Sequence, residues 1–113
     1  MENLLLIIAR EGMGSAPHEL QTVLIINFFR TLLKENKTPG NIFFYADGVK
    51  LNQRGSVIED YLVELETRGT KIVTCTTCLN FFGIVPDELV SGVKGGMNDL
   101  VALTEKSSKV ISL

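Results

Sequence analysis

The sequence contains few of the residues from which metal centres and nucleic-acid interfaces are built. It has one histidine, His18, and two cysteines among 113 residues. A structural zinc site needs four nitrogen, sulfur or carboxylate ligands, so we expect no metal. The formal net charge is −2, and no run of Lys and Arg is long enough to match a phosphate backbone. We therefore expect no nucleic-acid partner.

A long apolar run is also missing. No stretch of about 18 consecutive apolar residues occurs, so nothing in the chain is expected to span a membrane. The run from Leu4 to Ala9 lacks the basic flank and the cleavage site of a secretory leader, and it is typical of a strand. We therefore expect a cytoplasmic protein without a membrane partner. Thiols stay reduced in that compartment, which favours a chemical role for the cysteines over a structural disulfide.

What the chain does contain is an alternation of strand-like and helix-like segments. Residues 1–113 suffice for one domain with a hydrophobic core, and 45% of them are apolar. We predict strands at Leu4–Ala9, Ile42–Ala46, Lys71–Thr74, Leu89–Val93 and Lys109–Leu113. We predict helices from Ser15 or Pro17 to about Lys34, from the capping pair Ser56 and Glu59 to Gly69, over Thr76–Phe82, and around Met97–Val101. The order predicts a single α/β domain with three layers, a flavodoxin-like architecture around a mostly parallel, doubly wound sheet of five strands.

The first predicted helix has too many apolar residues for one buried face. Apolar residues such as Leu20, Val23 and Leu24 widen the apolar surface of the helix beyond the stripe that packs on the sheet. A fully buried helix is hard to arrange in so short a chain. We therefore expect a homo-oligomer that covers the excess apolar surface.

The two cysteines form a Cys-x-x-Cys pair directly after the third predicted strand. Cys75 lies at the strand tip, where free backbone N–H groups and the helix dipole favour a thiolate. Cys78 follows about one helical turn later, close enough to form a disulfide with Cys75 or to attack a sulfur attached to it. Thr76 and Thr77 are positioned to cap the turn or to donate hydrogen bonds to the thiolate. The spacing alone is equally compatible with two inert, buried thiols.

Two further loops are expected at the same edge of the sheet, where ligands gather in parallel α/β folds. Gly12, Met13 and Gly14 follow the first strand, and their backbone N–H groups are candidates for binding an anion. The loop matches neither the dinucleotide fingerprint nor the P-loop, so we predict no cofactor, and a tight turn that needs glycine is the favoured explanation of Gly12 and Gly14. After the second strand come Asp47, Gly48 and Lys50; Arg10 and Lys50 are positioned to attract an anionic substrate.

Several stretches of the chain resemble the DsrE/DsrF family, and most closely the DsrE-like domain of YedF-type, sulfurtransferase-like proteins linked with selenium metabolism. The similar stretches are GMGSAPHEL, FYADGVKL, GSVIEDYLVELETRGTKI, CTTCLNFFGI and MNDLVALTEKSSKVISL. Thr76 and Gly96 depart from the family pattern. The resemblance implies this α/β fold and a homo-oligomer, whether dimer, trimer or hexamer.

The same resemblance implies sulfur relay between donor and acceptor proteins. It makes Cys75 the persulfide carrier and Cys78 a second thiol that releases or protects the sulfur. From the loops around the pair we predict anion or substrate binding by nine residues: Gly12, Met13, Gly14, Asp47, Gly48, Lys50, Thr76, Thr77 and Asn80. Two alternatives remain open from the sequence, a dithiol/disulfide redox protein and a non-catalytic, oligomeric anion-binding or regulatory subunit.

Overall fold

The computed structural model describes all 113 residues and contains five strands and four α-helices. The strands are β1 (Leu4–Ile8), β2 (Asn41–Phe44), β3 (Lys71–Cys75), β4 (Val93–Gly95) and β5 (Lys109–Ser112). The helices are α1 (His18–Lys34), α2 (Glu59–Thr67), α3 (Thr76–Phe82) and α4 (Met97–Lys106). Two 3₁₀ helices, Ala46–Asn52 and Pro86–Glu88, lie between them. No helix is both long and apolar enough to cross a membrane.

All five strands pair in parallel, in the spatial order β4-β3-β2-β1-β5. The chain therefore steps in one direction from β1 to β4 and then returns to place β5 on the other side of β1. Right-handed crossovers put α4, which makes the return, on the face opposite to α1 and α2. The predicted α/β sheet with helices on both faces is confirmed.

The apolar composition of the central strands explains where the core lies. In β1, the sequence LLLII places Leu5 and Leu6 out of contact with solvent, as expected for a strand covered on both faces. Helix α1 contributes Ile25, Phe29 and Leu32, a stripe with helical spacing, to the same core. Burial of this stripe holds α1 on the sheet.

The rest of the apolar surface of α1 is exposed. Leu20, Val23 and Leu24 retain 48%, 51% and 37% of their accessible surface. The prediction that one sheet face cannot bury this helix is therefore correct for the single chain. The outer strand β5 is exposed as well, at all four of its positions.

Three local predictions differ from the structure. The fourth strand is Val93–Gly95 and not Leu89–Val93, because Leu89 bridges to Gln53 and the N–H of Val90 donates to the carbonyl of Asn52. The second strand ends at Phe44 and not at Ala46, and Ala46 joins residues 47–52, predicted to be a loop, in a 3₁₀ helix. Helix α2 begins at Glu59 rather than at Ser56. The reason is that the Ser56 hydroxyl accepts a hydrogen bond from the N–H of Ile58, which is only two residues later in the chain.

Candidate functional site

Both cysteines lie where β3 passes into α3, at the carboxyl edge of the sheet. Cys75 is the last residue of β3 and is 1% exposed. Cys78 lies in the first turn of α3 and is half-buried. The two side chains approach to 3.3 Å, and both thiols are free. A reagent from solvent therefore meets Cys78 before Cys75.

A backbone N–H from the neighbouring strand connection points at Cys78. The N–H of Ala46 donates a hydrogen bond to Sγ of Cys78 across 3.1 Å. Ala46 begins the 3₁₀ helix that follows β2 and has a φ of 51°, a left-handed conformation that alanine seldom adopts. A backbone donor fixed in this way stabilises negative charge on the sulfur.

Glycine at position 48 keeps this 3₁₀ helix close to the end of β1. A Cβ atom at Gly48 would overlap the carbonyl oxygen of Ile8. The predicted anion-binding residue Gly48 thus has a steric role, since only glycine allows the two backbones to approach so closely. The approach fixes the position of the Ala46 N–H.

The environment of Cys78 acts on its pKa in both directions. Burial raises the pKa of the Cys78 thiol, and the neighbouring Cys75 raises it further. The hydrogen bond from Ala46 lowers the pKa but does not cancel the effect of burial. Cys78 is therefore mainly a protonated thiol at neutral pH, and its reactive thiolate becomes more abundant as pH rises.

The other polar residues of α3 do not contact the sulfur atoms. The hydroxyl of Thr76 donates to the carbonyl of Gly95 across 3.0 Å and so ties α3 to β4. Thr77 and Asn80 are exposed. Thr76 therefore does not act as the thiolate donor that the sequence suggested as one of its roles.

The loop after β1 is closed by its own hydrogen bonds. The N–H of Met13 donates to the carbonyl of Gln21 across 3.1 Å. The carbonyl of Gly14 accepts from Arg10 Nη1 and from Gln21 Nε2, each at 2.7 Å. A Cβ at Gly12 would collide with Gln21. These glycines allow a tight turn against α1, and the Met13 N–H is already bonded within the chain.

Asp47 and Lys50 form an ion pair at the entrance to the site. Lys50 Nζ lies 3.0 Å from a carboxylate oxygen of Asp47 and 4.4 Å from the centroid of the Phe82 ring. These contacts connect the 3₁₀ helix to α3, and they hold the ammonium group in one place.

A groove lies at the carboxyl ends of β1 and β2, the edge at which the sequence predicted that the loops after these strands meet. Its volume is about 530 Å³, and Arg10, Glu11, His18, Asp47 and Lys50 border it. A smaller cavity of about 110 Å³ shares three of these residues with it. Together we name them the carboxyl-edge groove. No motif marks it, because its walls come from segments that only the fold brings together.

Neither cysteine lines the carboxyl-edge groove, but Asp47 is the residue after Ala46. The largest cavity, about 730 Å³, lies at the opposite, amino end of the sheet beside α4, where Asn41 and Lys71 border it. It is therefore remote from the cysteine pair. No group of three or more His, Cys, Asp and Glu side chains is placed to hold a metal ion.

Three buried polar side chains form a hydrogen-bond network beside the cysteine pair. Asn52 Nδ2 donates to the hydroxyl of Thr74 and to the carbonyl of Ser91, both across 2.9 Å. The hydroxyl of Ser91 donates to Asn52 Oδ1 across 2.7 Å. This network joins the end of the 3₁₀ helix to the residue before Cys75. No sequence pattern marked Asn52, because its partners are distant in the chain.

Comparison with known proteins agrees with this architecture. The model of the DsrE/DsrF-like family matches residues 11–113. The structure of the ychN protein from E. coli is similar, with a TM-score of 0.71, 22% identity and coverage of 96% of this chain and 97% of that one.

Two further solved structures resemble the chain. The protein of unknown function MTH1491 from Methanobacterium thermoautotrophicum has a TM-score of 0.68 and 22% identity, covering 97% of each chain. The conserved protein of unknown function BT1422 from Bacteroides thetaiotaomicron has a TM-score of 0.65 and 17% identity, covering 98% of this chain and 95% of its own. Among curated proteins, none has a sequence that matches significantly. At these identities the structural likeness shows the fold alone.

Proposed function

This chain belongs to the DsrE/DsrF-like family, and on that basis we propose that it carries sulfane sulfur from a donor protein to an acceptor protein. In this proposal Cys78 receives the sulfur, and Cys75 is the second thiol. The observation that carries the proposal is the hydrogen bond from the Ala46 N–H to Sγ of a half-buried Cys78.

The loading step is a displacement at sulfur. The Cys78 thiolate attacks the outer sulfur of a donor persulfide, a bond forms between that sulfur and Sγ, and the sulfur–sulfur bond of the donor breaks. The donor thiolate leaves with the electron pair and takes up a proton. No oxidant or reductant is consumed. The Ala46 N–H stabilises the thiolate before attack, and a persulfide is more readily ionised than the thiol it replaces.

In this proposal the roles of the two cysteines differ from those that the family resemblance implied. The resemblance made Cys75 the carrier, but its side chain is almost fully buried. Cys78 is the thiol that a donor can approach. The 3.3 Å separation then allows the Cys75 thiolate to take the outer sulfur from Cys78, which leaves as a thiolate and takes up a proton.

A mass measurement on persulfide-treated protein tests the proposal. The wild type and Cys75→Ser should each gain the mass of one sulfur atom, whereas Cys78→Ser should gain little. Reduction with a thiol should remove the added mass and so separate persulfide from higher oxidation products. The proposal is overturned if the wild type takes up no sulfur, or if Cys78→Ser loads as well as the wild type.

Dithiol/disulfide exchange is the second candidate function, and the close approach of the two free thiols favours it. It requires both sulfur atoms, because the product is a Cys75–Cys78 disulfide. Cys75→Ser therefore distinguishes the two: a carrier keeps loading sulfur, whereas a redox protein loses turnover and traps a mixed disulfide on Cys78.

Assembly into a homo-oligomer is part of the proposal. The exposed apolar residues Leu20, Val23 and Leu24 on α1 support it, since a monomer gains nothing from leaving this surface in water. Sedimentation of Leu24→Glu beside the wild type tests it: the variant should have the lower mass. Equal masses would contradict this interface. A cytoplasmic location and a link to selenium remain predictions.

A further inference from the structure

Two of the charged side chains that border the carboxyl-edge groove, Arg10 and Glu11, have no ion-pair partner within the chain. Arg10 uses Nη1 to donate to the carbonyl of Gly14, and its other N–H groups have no protein acceptor. Glu11 takes part in no ion pair, because the two ion pairs of the chain are Lys50–Asp47 and Arg68–Glu64. A guanidinium and a carboxylate thus border one groove without neutralising each other.

One wall of the groove is connected to the proposed sulfur-receiving thiol, although neither cysteine lines the groove. Asp47 borders it and directly follows Ala46, whose N–H contacts Cys78. Lys50, on the same wall, is held by Asp47 and by the ring of Phe82 in the helix that carries Cys78. A small molecule in the groove therefore contacts Asp47, whose neighbour in the chain, Ala46, contacts the sulfur.

The mixture of charges defines the class of ligand. A simple anion such as thiosulfate would gain from Arg10 but would be repelled by the unpaired carboxylate of Glu11. A ligand that carries a carboxylate and an ammonium on one carbon satisfies both side chains at once.

We propose that the carboxyl-edge groove binds the zwitterionic head of a small amino-acid persulfide, such as cysteine persulfide, which then gives its outer sulfur to Cys78. This inference rests on the proposed function and adds a small-molecule donor to it. Arg10 binds the ligand carboxylate, and Glu11 binds the ligand ammonium. In the transfer, the sulfur–sulfur bond of the ligand breaks, a bond from the outer sulfur to Sγ of Cys78 forms, and cysteine leaves as a thiolate that takes up a proton.

Three donors that differ by one charged group test the inference. Cysteine persulfide carries both groups, cysteamine persulfide lacks the carboxylate, and 3-mercaptopropionate persulfide lacks the ammonium. The initial rate of sulfur addition to the wild type should be highest with cysteine persulfide, by about threefold or more, as expected for an exposed charged contact. Equal rates with all three donors would overturn the inference.

Two variants assign the two contacts. Arg10→Gln should lower the rate ratio of cysteine persulfide to cysteamine persulfide, and Glu11→Gln should lower the ratio of cysteine persulfide to 3-mercaptopropionate persulfide. Lys37→Gln, an exposed residue beyond the other end of α1, is the matched control and should change neither ratio. If both groove variants keep the wild-type ratios, the groove does not select the donor.

A binding measurement separates this inference from the proposed function. S-methylcysteine, which has no transferable sulfur, is titrated into Cys78→Ser while backbone amide signals are followed by NMR. Shifts centred on Arg10 and Glu11 support the groove as the site of the amino-acid head. Absence of such shifts overturns the inference even if the wild type loads sulfur. Shifts at the groove without sulfur loading from any donor would overturn the proposed function and leave the ligand class intact.

Discussion

The N–H of Ala46 lies 3.1 Å from Sγ of Cys78 and joins the segment after β2 to the helix after β3. Ala46 makes this contact at a φ of 51°, a conformation that costs an L-residue roughly 1–2 kcal/mol. The surrounding structure must supply that energy, and it holds the 3₁₀ helix so close to β1 that position 48 admits only glycine. The donor therefore depends on the fold around it and not on local preference.

Replacing Ala46 should change the acidity of Cys78. A β-branched residue tolerates positive φ poorly, so Ala46→Val should move the N–H away from the sulfur and raise the pKa of Cys78 further. Ala46→Gly adopts the same φ without strain and should keep the pKa near that of the parent protein. The pH dependence of iodoacetamide alkylation, measured in a Cys75→Ser background, reports the pKa of the single remaining thiol. Identical pH profiles for the valine and glycine variants would contradict the assigned role of the donor.

Cys78 should also make the fold less stable at alkaline pH. Because its pKa is raised in the folded chain, the unfolded chain loses the proton first, at about 9.0. The contribution of Cys78 to the free energy of unfolding is fully present below that pH. It is lost as the pH rises through the higher pKa of the folded state. Urea unfolding at pH 7 and pH 10 should show a larger loss for the wild type than for Cys78→Ser. Equal losses would mean that the thiol titrates alike in both states.

The order of strands and helices was predictable because it depends on local patterns. Each element was predicted from a signal that lies within a few residues of it. Examples are the continuous apolar run of β1, the wide apolar surface of α1 and the glycine that ends α3. The fourth strand was misplaced because its pairing competes with a long-range bridge between Gln53 and Leu89, which no short window contains.

The site was predictable only in part. The Cys-x-x-Cys motif behind a β-branched run was enough to predict that the cysteine pair lies at the end of the third strand. The motif does not show which of the two cysteines is accessible. The exposure of Cys75 and Cys78 depends on how the 3₁₀ helix packs against α3. The donor at Ala46 was hidden for the same reason, since any residue but proline supplies an N–H and only its placement matters.

Gly48→Ala should destabilise the fold through a steric clash alone. Gly48 has no positive φ, but an added Cβ would overlap the Ile8 carbonyl, so we expect a loss of about 2–3 kcal/mol in the free energy of unfolding. Gly69→Ala is the matched control: its Cβ would meet open space, and only its φ of 110° is strained. Urea denaturation should show the larger loss at Gly48. A smaller loss there than at Gly69 would show that the 3₁₀ helix can shift away from β1 at little cost.

Removing the buried amide of Asn52 should destabilise the fold and loosen the support beneath the cysteine pair. Asn52→Ala leaves the hydroxyls of Thr74 and Ser91 without their partner in a region closed to solvent, and each unmet group costs about 1–3 kcal/mol. We expect a loss of about 2–4 kcal/mol in urea unfolding. Asn80→Ala, at an exposed position on α3, should change the free energy by less than about 0.5 kcal/mol. If Asn52→Ala is as mild as Asn80→Ala, water or a side-chain rearrangement replaces the network, and the 3₁₀ helix does not depend on Asn52 for its position beside β3.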